Sequence, residues 1–245
     1  MSNLKNLTFK STNRYLSLIV LVGLCITLVL IVSLQLRPTK AAPLQVGVGA
    51  AGLNAFEFIG RINQNGLDFT GFGYLTYIRD LNNAEIYTNP ANPSEDTARF
   101  TYVATATLTS RAILTDVFVI DSQGTITFYL TQSPPDRSFD NSASFANGTP
   151  IATASMRYQD ILLVQSTNKG IATGVSEVTQ LTAPAFTLNG QSYQFGQSNL
   201  LYRLSSIGNG TRTNVDPPIS FVLLAGNAVM SGQQSFLPII NRDSE

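Results

Sequence analysis

From residue 97 to residue 110 the chain alternates without a break: Ala98, Phe100, Tyr102, Ala104, Ala106 and Leu108 are interleaved with Thr97, Arg99, Thr101, Val103, Thr105, Thr107 and Thr109. A two-residue period places one set of side chains on each face of an extended strand, whereas a helix would scatter both sets around its axis. The same pattern, rich in Thr, Val, Ile, Phe and Tyr, recurs over residues 56–63, 67–78, 112–120, 125–131, 150–164, 171–181, 200–207 and 219–230, with shorter pieces at 186–188 and 191–195. Helix signals are nearly absent. About ten strands are readable in this way, which restricts the chain to an all-β fold.

Turn chemistry sets the connectivity. Four Asn-Gly pairs are present, and that dipeptide accepts the positive φ angles of tight hairpin turns. Asn65-Gly66 and Asn189-Gly190 each separate two alternating runs, and Ser122-Gln123-Gly124 and Asn168-Lys169-Gly170 are read the same way. Strands joined by short turns predict an antiparallel meander closing into a β-barrel, because closure removes unpaired edges. A two-sheet β-sandwich satisfies the same alternation and stands as the alternative. Residues 82–96 and 133–150 interrupt the meander with prolines and acidic residues and are expected to be surface loops, the usual place for binding groups on a rigid β scaffold.

Ahead of these strands, residues 15–36 carry no charge and are long enough to cross a bilayer core of about 30 Å as one N-terminal hydrophobic helix. Lys5, Lys10 and Arg14 precede the segment, which favours a cytoplasmic N-terminus and an outward path for the rest. Two fates stand open for residues 1–41: a cleaved signal peptide, or an uncleaved signal anchor. The domain is therefore expected to be extracytoplasmic, membrane-anchored or secreted, with the membrane as a partner through this segment. Cys25, the only cysteine, lies inside it, so the domain beyond has neither thiol nor disulfide. Residues 42–55, uncharged and rich in Ala and Gly, read as a linker; Gly47-Val-Gly49-Ala-Ala-Gly52 matches a dinucleotide-binding spacing but lacks the preceding strand and following helix. The all-β domain is expected over residues 56–231, with a C-terminal tail over 232–245.

Composition excludes several functions. Five of the 15 basic residues and none of the 15 acidic ones precede residue 43, which leaves a net charge of −5 beyond it. Without a basic stripe, nucleic acid is not an expected partner. The chain has no histidine, which removes the commonest general base, the commonest zinc ligand and every Ser-His-Asp or Cys-His arrangement. Asp136, Asp140 and Asn141 match no calcium-loop spacing, and no cofactor, metal site or catalytic residue is assigned. Carboxylate chemistry survives, with Glu57, Asp68, Glu85 and Glu177 as the available groups. A barrel wide enough for one small molecule would instead line its interior with apolar side chains and a few polar ones. The lining expected here is Phe58, Phe100, Tyr102 and Phe128, with Glu57 and Glu177 as its charged members.

The series Phe56-Glu-Phe-Ile-Gly60, Thr70-Gly-Phe-Gly-Tyr-Leu-Thr-Tyr77, Ala98-Arg-Phe-Thr101 and Phe236-Leu-Pro-Ile-Ile240 resembles uncharacterised exported proteins of filamentous green non-sulfur bacteria, a resemblance that implies export and leaves activity open. In outline the domain is also similar to the allene oxide cyclase and dirigent class of eight-stranded barrels, which implies the handling of hydrophobic molecules. The resulting expectation is a non-enzymatic extracytoplasmic β-domain that binds a small apolar ligand or a cell-surface partner. The alternatives are a carboxylate-dependent or cyclase-like enzyme, and a structural envelope protein. Oligomeric state is left open by the sequence.

Overall fold

The computed structural model describes residues 41–212 and 219–233. Its strands are β1 (Leu44–Val46), β2 (Asn54–Asn65), β3 (Asp68–Ile78), β4 (Phe100–Leu114), β5 (Val117–Leu130), β6 (Thr149–Ser166), β7 (Lys169–Thr182), β8 (Ala185–Leu188), β9 (Gln191–Phe195), β10 (Leu200–Arg212) and β11 (Ile219–Gln233). Eight of them, in the order β2-β3-β4-β5-β6-β7-β10-β11, form a closed barrel of antiparallel neighbours in which β11 returns to pair with β2. The barrel, not the sandwich, is the outcome. The expected leader helix and most of the expected tail lie outside the described residues, and among the described residues no helix is long and apolar enough to cross a membrane.

The two ends of the barrel differ. Residues 66–67, 115–116 and 167–168 are tight turns gathered at one end. Residues 79–99, 131–148 and 183–199 are long connections at the other, where β1, β9 and β8 also form a three-stranded sheet. Asn65-Gly66 and Asn189-Gly190 are turns as expected, with Gly66, Asn189 and Gly190 at positive φ. Asn209-Gly210 instead lies inside β10, and Ser122-Gln123-Gly124 is not a turn but the middle of β5. The reversal comes at Thr115-Asp116, with Thr115 at φ 53°. A small residue at Gly124 is required by packing: a Cβ there would collide with the carbonyl of Thr105 on β4.

The expected linker over residues 42–55 is corrected. Leu44–Val46 pairs in parallel with Tyr193–Phe195, and Val46 is buried. A strand that can donate and accept across β9 while burying an apolar side chain is held in place, despite its low-complexity surroundings. The two expected surface loops also contribute to the core. In the first, Asn82 and Glu85 form a reciprocal capping box that starts the one-turn helix α1 (Asn83–Ile86), and Ile86 and Tyr87 are buried beneath it. In the second, a 3-10 turn at Ser142–Phe145 folds back over the outer face of β3 and β4. There Phe72 packs against Phe145 and Phe139, and the buried Thr101 hydroxyl donates to the Phe145 carbonyl at 2.6 Å. Both loops hide apolar side chains because the β3–β4 wall carries apolar groups on its outer face as well as its inner one.

An aromatic cluster plugs the loop end of the barrel. Phe56 lies 5.4 Å from Phe128, 5.6 Å from Phe195 and 5.5 Å from Tyr202, ring centre to ring centre. Buried Gln180 fixes the small sheet over this plug: its Nε2 donates to the Phe195 carbonyl at 2.7 Å, and its Oε1 accepts from the Gln197 amide and the Tyr202 hydroxyl. Every polar atom of that side chain is therefore used, as burial demands.

Candidate functional site

Along β6 the side chains of Ala152, Ala154, Met156, Tyr158 and Asp160 follow the two-residue period onto the inner face. Cross-strand register carries that face around the ring: Tyr158 stands opposite Ser122 on β5 and Ser176 on β7, and Ser206 on β10 continues the row from Gly174. Below the aromatic plug these inner positions line a cavity of about 70 Å³. Its walls are apolar, formed by Phe58, Ile62, Phe69, Ile126, Met156 and Leu204 among others. Its polar groups are the hydroxyls of Tyr102, Tyr158, Ser122, Ser176 and Ser206.

Space in the barrel comes from inner positions occupied by glycine and alanine. Gly60, Gly71 and Gly174 face inward, and Ala104 and Ala106 occupy the corresponding places on β4. Two of the glycines make room for the tyrosines. A Cβ on Gly60 would collide with the Tyr102 hydroxyl, and a Cβ on Gly174 with the Tyr158 hydroxyl. The Tyr102 hydroxyl on β4 is thus seated against bare backbone two strands away on β2, and the Tyr158 hydroxyl on β6 against bare backbone of the adjacent β7.

The titratable groups lining the cavity are two phenols, Tyr102 and Tyr158. Burial, and to a smaller extent neighbouring Tyr158, holds the Tyr102 phenol well above its usual range, so it is neutral and able to donate at any ordinary pH. Tyr158 is pushed up by burial and by nearby Asp160, an effect partly offset by its hydrogen bond with Ser206. Asp160 stands on the same inner face, opposite Ile120 and Gly174, and one of its carboxylate oxygens, Oδ1, is buried without a hydrogen-bond partner. Burial raises its pKa to about 6, against a lowering contribution from the Ile161 amide. Asp160 and Tyr158 keep some surface accessible to solvent while most of the volume around them is protein, which is how an interior carboxylate titrates near neutrality instead of remaining protonated throughout.

The expected lining residues separate into three groups. Phe58 and Tyr102 line the cavity. Phe100 and Phe128 are buried on the inner face at the loop end, with Phe128 in the plug above the cavity. Glu57 and Glu177 are corrected: they lie on the outer face, where Glu57 accepts from Asn54 at 2.8 Å and Glu177 pairs with Arg203 at 3.6 Å. The reason is parity, since each sits one residue out of phase with buried neighbours, Phe56 and Phe58 in one case and Ser176 and Val178 in the other. No cavity-lining residue comes from the long connections at residues 79–99 and 131–148. Tyr158 and Asp160 were not singled out by the sequence reading, although a carboxylate in phase with Ala152, Ala154 and Met156 is the signal that marks them. Among the described residues no group of acidic side chains is arranged to hold a metal ion.

Comparison with protein-family models, with curated proteins and with solved structures finds no match.

Proposed function

We propose that the barrel is a binding module for a small, predominantly apolar molecule carrying a polar head. The observation that carries this reading is the interior cavity itself, apolar on most of its wall and polar at one cluster of hydroxyls. Pockets of that character orient a ligand through a few polar groups while apolar contact supplies affinity. At about 70 Å³ the cavity is smaller than the engineered cavity of roughly 150 Å³ that holds benzene, so an unrelaxed barrel suits a ligand of butyl rather than aromatic size. The apolar segment at residues 15–36 and the basic residues Lys5, Lys10 and Arg14 before it support an extracytoplasmic location, anchored or released.

Thermal denaturation of the full-length protein with increasing 1-butanol or pentane tests the reading. A ligand that occupies only the folded state raises Tm in proportion to the logarithm of its concentration above Kd. Ala106→Leu fills the cavity from β4 with a side chain of the ligand's own size and is expected to fold while losing the ligand-induced shift. Equal shifts in both proteins, or none in the native one, refute cavity binding.

A further inference from the structure

Asp160 has an acceptor that the protein leaves unused. It borders the cavity without lining it: it lies one inner-face position beyond the lining residue Tyr158 on β6, and its cross-strand neighbour Gly174 lines the cavity. The Tyr158 hydroxyl is seated on that same glycine, and Ser206, the partner of Gly174 on β10, bonds to Tyr158. Asp160, Tyr158 and Ser206 therefore meet around one site that lacks a side chain of its own. Gly208, the next inner position on β10, adds no polar side chain. A buried carboxylate oxygen without a partner is costly, so the site favours a molecule that brings a donor.

Among the described residues no cation is paired with Asp160 Oδ1. Among the described residues the other titratable groups facing this part of the interior are the two phenols, Tyr102 and Tyr158. On β5 and β6 the nearest charged side chains, Asp121 and Arg157, pair with each other on the outer face at 3.5 Å. On β7, Lys169 and Glu177 are exposed on the outside. On β10, Arg203 faces outward, and Arg212 shares the inner parity but is exposed at the strand end, six residues beyond Ser206. β11 brings Val222 and Leu224, β2 brings Ile62 and Gln64, and β3 brings Phe69, all of them uncharged; β4 brings Ala106 and, in register with Ile120 and so on the inner parity of Asp160, Arg111, which is exposed near the turn end and leaves Asp160 Oδ1 without a partner.

We infer that the ligand of this cavity is a small amphiphilic amine, its protonated nitrogen held by the Asp160 carboxylate beside the Tyr158 hydroxyl and its alkyl body packed among Phe58, Ile126 and Leu204. The inference rests on the cavity-binding reading above and assigns the head group. Net attraction follows because the amine gives the unpaired oxygen its donor and its counter-charge together, and a charge-assisted hydrogen bond is roughly twice as strong as a neutral one. A hydroxyl of equal size supplies only the donor. A carboxylate head adds a second negative charge and is excluded.

The probes are n-butylamine, 1-butanol and butyrate, titrated at pH 7.5 against the full-length protein and its Asp160→Asn variant by calorimetry and thermal shift. Expected for the native protein is butylamine binding at least about tenfold tighter than butanol, with no binding of butyrate. In Asp160→Asn the amine preference is lost while butanol still binds, which shows that the variant is folded and its cavity intact. Equal affinity for amine and alcohol in the native protein, or an amine preference that survives in Asp160→Asn, overturns the amine assignment and leaves cavity binding standing. Failure of all three probes to bind the native protein overturns both.

Discussion

Asp160 gives the stability of the barrel a pH dependence opposite in sign to that of a salt-bridged carboxylate. Its pKa is about 6 in the folded chain against 3.8 for a free aspartate, so between those values the folded state binds more protons than the unfolded one. The stabilisation is fully present below about pH 4 and is lost as pH rises through 6, amounting to on the order of 2–3 kcal/mol over the window. Urea denaturation of native protein and Asp160→Asn from pH 4 to pH 8 isolates it: the difference between the two should grow with pH in favour of the variant and level off above 7. Parallel curves would show that another group titrates. The residue was legible in principle, because strand parity alone separates it from Glu57 and Glu177. In β6 the inner set reads Ala, Ala, Met, Tyr, Asp, whereas Glu57 and Glu177 interrupt inner sets without belonging to them. What parity does not contain is the neighbour on the adjoining strands, and it takes Gly174 on β7 and Ser206 on β10 to make Asp160 part of a site.

Strands were the most legible elements and the connections the least. The alternation over residues 97–110 survives as the first two-thirds of β4, but the strand continues to Leu114 through residues exposed on both faces, where burial gives no period to read. Likewise Gly124 resembles turn punctuation in sequence and is a packing glycine in β5, since the carbonyl it must avoid belongs to a different strand. Helix α1 had a local signature, Asn82 followed by Glu85 at capping-box spacing, that prolines nearby obscured. The small sheet β1-β9-β8 was only half visible, because β1 is defined by its parallel partner and not by its own three residues. Its attachment depends on Gln180. Gln180→Leu is expected to destabilise the fold by about 2–4 kcal/mol, because the Phe195 carbonyl, the Gln197 amide and the Tyr202 hydroxyl lose their partner together. Hydrogen exchange should localise the loosening to β9 and leave β4–β6 protected; uniform loss of protection would mean that the sheet is not a separable lid.

At the scale of the whole molecule, the separation of tight turns from long connections makes the two ends unequal in tolerance. Inserting a six-residue Gly-Ser peptide between Thr115 and Asp116, both exposed, is expected to cost under about 1 kcal/mol, because loop-closure entropy grows slowly with length. The same peptide between Asp140 and Asn141 pulls Phe139 and Phe145 from their places on Phe72 and should lower Tm by several degrees. Differential scanning calorimetry of both insertions reads this directly, and equal losses would contradict the asymmetry. The seam of the ring has a consequence for biosynthesis. Its first strand, β2, is registered against its last, β11, so a ribosome or a translocon must release almost the entire domain before the circle can be completed. Until then the emerging ribbon has two open margins, which places its greatest demand for chaperone protection during synthesis and not after it.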